Sequence, residues 1–393
     1  MNEHFTNACT ACKKAGMKKS QQLSTEQRHR ARDLGIRIGS LEPGRWNAIT
    51  DVPGVRVGHT TLIAGNGPLI TGEGPVRTGV TVIVPRDDIA KDPVFAGYHQ
   101  LNGSGEMTGI AWIEEAGLIS TPIGLTNTHS VGVVRDALIA YDVQRWTGND
   151  AMPYRLPVVS ETSDNWLNDM NGFHVKPEHV VQALESAATG PVAEGCVGGG
   201  TGMNCHEFKG GIGTSSRALA EEFGGWTVGV LVQANYGWRS HLHIDGVPVG
   251  REIPVNEIPS HRMQPNADGS IVIVIATDAP LLPNQCKRLA QRGTIGLARA
   301  GGNGDNGSGD LFLAFSTGNH GVDSKGIYTA TNIRMLPNDA ISVLFEAVAD
   351  ATHEAIANAL CMATTMTGAN GRISHALPLD RLQEVMHRHH RID

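Results

Sequence analysis

"NADGSIVIVIATDAPLLP", residues 266–283, is the stretch on which the reading of this chain turns. A polar, turn-forming loop (Pro265, Asn266, Asp268, Gly269) runs directly into a β-branched segment, residues 271–275, that reads as a strand buried on both faces. Ser270 stands at the junction. Serine there has two readings: it simply starts a strand, or the Gly269–Ser270 bond is meant to be cut. A freed Ser270 would carry its own base, because an α-amino group has a reference pKa of about 7.7–8.0 and can accept the hydroxyl proton. The glycine before it fits the second reading, since an unencumbered carbonyl in a flexible loop is open to attack by the neighbouring Oγ.

Composition sets the frame. The chain has 393 residues, a formal net charge of −7 and 40% hydrophobic content, a profile of a globular protein with length for a large core. The mild acidity argues against nucleic-acid binding, and no apolar run is long enough for a membrane span. Gly is abundant, at 48 residues, which predicts tight turns and close backbone approaches. Cys9, Cys12, Cys196, Cys205, Cys286 and Cys361 are scattered and give no disulfide framework. Residues 1–33 are polar, lack an apolar core of the secretory type, and read as a flexible extension, with Met17 as an alternative start. A cytoplasmic protein is the expectation. Cys9 and Cys12 supply half of a zinc site with no second pair nearby.

From about residue 49 the chain becomes short apolar runs punctuated by Gly and Pro. Strands are predicted at 55–59, 79–84, 110–114, 120–125, 156–160, 210–216, 226–234, 270–276 and 311–317. Helices are predicted at 131–146, behind the capping residues Thr128 and Ser130, and at 177–187, 281–300 and 338–367. Strands mixed with long helices and no linker after residue 40 predict one α/β or α+β layered domain over 34–393.

Other motifs carry less. "GCVGGGTG" (195–202) lacks the Lys-Ser/Thr ending of a phosphate loop, and its glycines are read as letting backbone pass close to a neighbouring strand or a ligand. "GGNGDNGSGD" (301–310) does not place acids at alternate positions as a calcium loop does. His241, His243 and the "HRHH" tail have no matching ligand spacing and are read as surface histidines, so no metal site is assigned. No G-x-S-x-G elbow occurs.

What decides between the two readings of Ser270 is an ordered series: "DVPGVRVGHTTL" (51–62), "GYHQLNGSGEMTGIAWIEEAG" (97–117), "TNTHSVGVVRDAL" (126–138), "VVSETSDNWLND" (158–169), "GCVGGGTGM" (195–203), "VGVLVQANYG" (228–237), "GSIVIVIATDAPLLPNQ" (269–285) and "NGSGDLFLAFSTGN" (306–319). The series resembles the L-aminopeptidase/D-esterase family, which includes the β-peptidyl aminopeptidases, and the likeness covers nearly all of residues 30–380. It implies a four-layer αββα sandwich like that of N-terminal nucleophile hydrolases, with a different connectivity. It also implies self-cleavage at Gly269–Ser270 into a larger chain ending at 269 and a smaller chain, 270–393.

By motif, the resemblance makes Ser270 the nucleophile, Ser308 and Asp310 the pair that supports it (some relatives carry Glu at the acid position), and Asn235 the oxyanion donor. Glu161 would hold the free amine of the substrate. Without the family frame, Asn235 and Asp310 read as turn-capping and strand-end residues. Some relatives carry a Tyr where this chain has Ser163, and usually a Gly where it has Asn165. The missing ring predicts a wider acyl pocket and tolerance of bulkier first residues, unless Trp166 fills the space. The implied substrates are small peptides, amides or esters with a free amine, no cofactor is required, and the implied assembly is a homotetramer of cleaved heterodimers. The competing readings are an acetyltransferase of the ornithine acetyltransferase type or an amide-oligomer hydrolase, both with a Thr nucleophile, and a non-catalytic metal- or ligand-binding protein.

Overall fold

The computed structural model describes residues 27–148, 154–260, 269–322 and 330–392. Cys9, Cys12, Met17 and the turn at 265–268 lie outside the described residues.

Two sheets stack face to face. The smaller holds β1 (Arg56–Ala64), β2 (Val76–Val84), β5 (Ile123–Asn127) and β6 (Val158–Thr162) in the order β1-β2-β5-β6. The larger has six strands: β3 (Val94–Gly103), β4 (Leu118–Ile119), β7 (Gly211–Ala218), β8 (Thr227–Asn235), β9 (Ser270–Thr277) and β10 (Gly309–Ser316). Their order is β4-β3-β10-β9-β8-β7, antiparallel except for the central β9–β10 pair. Helices α2 (Val131–Arg145) and α3 (Pro177–Glu185) cover the smaller sheet, while α4 (Pro283–Arg299) and α5 (Ser342–Met362) cover the larger. The result is the αββα sandwich expected from the sequence.

Alternation along β9 shows why its run is apolar throughout. Ile271, Ile273 and Ile275 join the core under α4 and α5, with Leu289, Leu297 and Leu344. Val272, Val274 and Ala276 join the core between the sheets, with Ile83, Ile123 and Val158. A strand covered on both faces needs no polar side. By the same alternation Ser270 falls on the inter-sheet face.

The glycine turn at 198–200 is wedged between the sheets. A Cβ at Gly199 would lie 2.1 Å from Gln233 Oε1 of the larger sheet and 2.8 Å from the Leu125 carbonyl of the smaller. Here glycine serves a close backbone approach, the role read for this motif.

Three expectations need correction. The run predicted as a strand at 110–114 is the helix α1 (Ile110–Ala116), ended by Gly117 in a left-handed conformation whose N–H returns to the Ile113 carbonyl. A short apolar run does not carry enough period to choose between helix and strand. Strand β3 and the final helix α6 (Leu379–Arg388) were not anticipated. Residues 28–32, read as part of the extension, are bonded to the domain. Arg28 Nε donates to the Cys361 carbonyl at 2.8 Å, the Ala31 N–H to Asn358 Oδ1 at 3.0 Å, and Arg32 Nε to Glu354 at 2.9 Å. Glu354 is fully buried and also pairs with the fully buried Arg217 at 2.8 Å. A buried carboxylate of this kind holds only while its donors stay in place, so residues 28–32 belong to the folded domain. His241 and His243 are half-buried, and the His243 ring turns its Nδ1 to the His241 carbonyl at 2.7 Å.

Candidate active site

One end of the sandwich gathers strand termini from both sheets: the starts of β9 and β10, and the ends of β3, β5, β6 and β8. Ser270, the first residue of β9, is the register partner of Asn235 on β8 and of Gly309 on β10. Its Oγ donates to the Gly269 carbonyl at 2.8 Å and accepts from the Gly309 N–H at 3.3 Å. The same Gly309 N–H reaches the Gly269 oxygen at 3.1 Å. One backbone donor thus faces both the hydroxyl and the carbonyl beside it. Residue 269 is glycine for a steric reason, since a Cβ there would lie 3.0 Å from Tyr236 Cα and 3.1 Å from the Asn235 carbonyl.

Asn235 is buried, and its amide is held at both ends. The Asn204 N–H donates to Oδ1 at 2.8 Å, and Nδ2 donates to the Ser163 carbonyl at 2.9 Å. Those two contacts fix which end is nitrogen, and they leave one amide proton over.

Ser308 Oγ donates to Asp310 Oδ1 at 2.6 Å, so its lone pairs remain available as acceptors. Asp310 Oδ2 accepts from Asn102 Nδ2 at 3.2 Å, and the two residues are register partners on β10 and β3. Burial raises the Asp310 carboxyl above the usual range, offset in part by the Ser308 and Asn102 donors. The structure brings Ser308 and Asp310 together, while the Ser270 proton is directed to Gly269 rather than to Ser308.

Glu161 lies on β6 of the other sheet. The Glu106 N–H donates to its Oε1 at 3.0 Å, and Thr128 Oγ1 donates to its Oε2. Burial again raises the carboxyl; the two donors oppose that shift, as does His129. Thr128 had been read as a helix cap. No side chain caps α2; Asn127 caps the 3-10 turn Thr128–Ser130 ahead of it, its Oδ1 accepting from the His129 N–H at 3.1 Å, and the Thr128 hydroxyl goes to Glu161.

Ser163 Oγ contacts Met170 Sδ at 3.7 Å. The thioether therefore occupies space beside Ser163. The Trp166 ring lies under the Arg372 guanidinium, 4.4 Å from the centroid. Asn165 is exposed. Sequence reading missed the Gly309 and Asn204 N–H donors, Asn102 and the true role of Thr128. Of these only Asn204 lies outside the motifs already singled out.

A serine–aspartate pair, a buried amide donor and a hydroxyl against a glycine carbonyl form a constellation suited to acyl transfer. Comparison with known proteins agrees. The model of "Peptidase family S58" matches residues 47–374. The chain is 49% identical over 375 residues to the beta-peptidyl aminopeptidase BapA of Sphingosinicella microcystinivorans, covering 92% of this chain and 93% of that one. Among solved structures, a Burkholderia sp. beta-aminopeptidase is 54% identical with a TM-score of 0.84, over 92% of this chain and 99% of that one. The L-aminopeptidase D-Ala-esterase/amidase of Ochrobactrum anthropi, described as a prototype for the serine aminopeptidases and a new variant of the Ntn hydrolase fold, is 41% identical. Its TM-score is 0.83, over 93% of this chain and 99% of that one.

Proposed function

This chain belongs to peptidase family S58 and is an aminopeptidase, and on that premise we propose that Ser270 is its nucleophile, exposed by self-cleavage at Gly269–Ser270. The observation that carries the reading is the Gly309 N–H shared between Ser270 Oγ and the Gly269 oxygen. When Oγ adds to the Gly269 carbonyl carbon, negative charge grows on that oxygen, and the N–H is already there to receive it. The C–N bond to Ser270 then breaks, the Gly269 acyl group passes to Oγ, and water hydrolyses the ester. Gly269 leaves as a carboxylate and Ser270 keeps a free α-amine.

In turnover that amine takes the Oγ proton as the hydroxyl attacks the substrate carbonyl, and returns it to the leaving amine. The spare Asn235 proton receives the oxyanion. Ser308 and Asp310 orient the nucleophile, and Glu161 binds the ammonium group of the substrate in a charge-assisted contact. Substrates are small peptides, amides or esters with a free amine. Among the described residues no helix is long and apolar enough to cross a membrane. The cleaved protein assembles as a homotetramer.

Processing is the test. Purified wild type should give two chains, 1–269 and 270–393, the smaller about 13 kDa by its share of 41.8 kDa. Ser270→Ala should remain one inactive chain. A wild-type protein that stays uncut and still hydrolyses peptides would remove Ser270 from the mechanism.

A further inference from the structure

The turn after β6 carries an aromatic residue in a setting that packing does not explain. Phe173 is 57% exposed, and its backbone is left-handed, at φ 51° and ψ 47°. Bulky side chains seldom adopt that conformation because it is strained, and such strain gathers at functional sites. A single exposed apolar residue would need no explanation; exposure together with strain does.

The turn is built rigidly. The Asp169 N–H donates to the Pro75 carbonyl at 2.9 Å, and Asp169 Oδ2 accepts from the Gly72 N–H at 2.7 Å and lies 2.8 Å from His174 Nε2. Phe173 is thereby held in place before any ligand arrives.

Its neighbours say what it is held against. The turn Met170–Gly172 packs on Thr128–Ser130, the segment whose Thr128 bonds Glu161. The Phe173 ring stacks on His129, with centroids 5.8 Å apart and planes 19° from parallel. At the other end Met170 Sδ touches Ser163 Oγ, and the Ser163 carbonyl holds Asn235. The turn therefore touches the support of the proposed ammonium site and the support of the proposed oxyanion donor.

The amine and the reacting carbonyl of an N-terminal residue are joined by one carbon in an α-amino acid and two in a β-amino acid. The side chain leaves from that short link. A ligand fixed at Glu161 and Asn235 must direct its side chain to the surface between them. We propose that Met170 and Phe173 form the wall that receives the side chain of the substrate's first residue, and that the enzyme prefers apolar side chains of leucine size or larger. An adaptable thioether and a rigid aromatic face suit such a group. The inference rests on the aminopeptidase reading above.

The test uses p-nitroanilides of α- and β3-residues bearing hydrogen, methyl, isobutyl or benzyl side chains, with wild type, Met170→Ala, Phe173→Ala and Phe173→Asn. Asn tolerates the left-handed backbone and guards against a folding artefact. Wild type should favour isobutyl and benzyl over hydrogen about tenfold in kcat/KM. Each substitution should lower that ratio by roughly the same factor, the scale on which apolar pockets discriminate, while processing into two chains continues. Equal losses on all four side chains, or an unchanged ranking, would overturn the wall and leave the aminopeptidase standing. Failure of wild type to cleave any member of the series would remove the activity and this inference with it.

Discussion

Asn235 is the ladder partner of Ser270, and its amide is clamped between the Asn204 N–H and the Ser163 carbonyl. The side chain cannot turn without breaking one of those contacts. Its remaining proton is thus aimed before a substrate binds, the condition under which a donor stabilises developing charge most.

Asn235→Ala should lower kcat by about 10²–10³-fold, the range typical of one lost oxyanion donor, with a smaller change in KM. Steady-state kinetics on the cut fraction decides it. A loss under tenfold would assign the oxyanion to backbone donors alone.

As the proposed ammonium site, Glu161 would act only while ionised, and burial holds its carboxyl above the usual range. KM should therefore rise as pH falls through the Glu161 pKa. Thr128→Val removes a donor to the ionised form, worth about 1.5–3 kcal/mol, so the break in KM should move up by roughly one to two pH units. Superimposable KM profiles would show that Thr128 does not serve Glu161.

At Asp310 the prediction concerns donors and acceptors. An Asn there would turn an N–H₂ toward either Ser308 or Asn102, both of which donate. Asp310→Asn should slow processing and turnover by roughly a hundredfold. Gel time courses and rates on any cut product would show it, and near wild-type rates would make the acid dispensable.

Asp164 offers a test of stability. It is fully buried among Thr78, Asn127 and Asn168, and burial pushes its carboxyl up to about 6. The folded state then holds the proton more tightly than the unfolded chain, whose value is about 4. The stability this contributes is present below about pH 4 and lost as pH rises through about 6, of the order of 3 kcal/mol in all. Urea unfolding of Ser270→Ala with and without Asp164→Asn should show the double variant gaining on its parent between pH 4.5 and 7.5. A constant difference would mean Asp164 does not titrate there.

Much of this was legible in the sequence, and the failures share a cause. Strand β9 announced itself because a segment covered on both faces must be apolar throughout. Strand β3 did not. Val94, Ala96 and Tyr98 enter the inter-sheet core, but His99, Gln100 and Leu101 leave it, so no single pattern spans the ten residues. Asn102 was invisible as a partner of Asp310 because the two meet across 208 residues of chain. Thr128 misled because a hydroxyl ahead of a helix is a good cap, and only the fold reveals that it is turned to Glu161 instead. Residue type suggested the chemistry, but the donors that complete it come from register.

The larger sheet runs β4-β3-β10-β9-β8-β7, so both strands that follow Gly269 lie between strands that precede it. A cut at that bond does not divide the molecule into halves; it leaves two interleaved chains sharing one core. Unfolding the cut protein would convert a first-order folding problem into a second-order one. Two fragments would have to find each other, and neither would bring the larger sheet complete. The arrangement was reached while the chain was continuous, so the mature enzyme would persist through the slowness of its unfolding rather than through any ability to re-form.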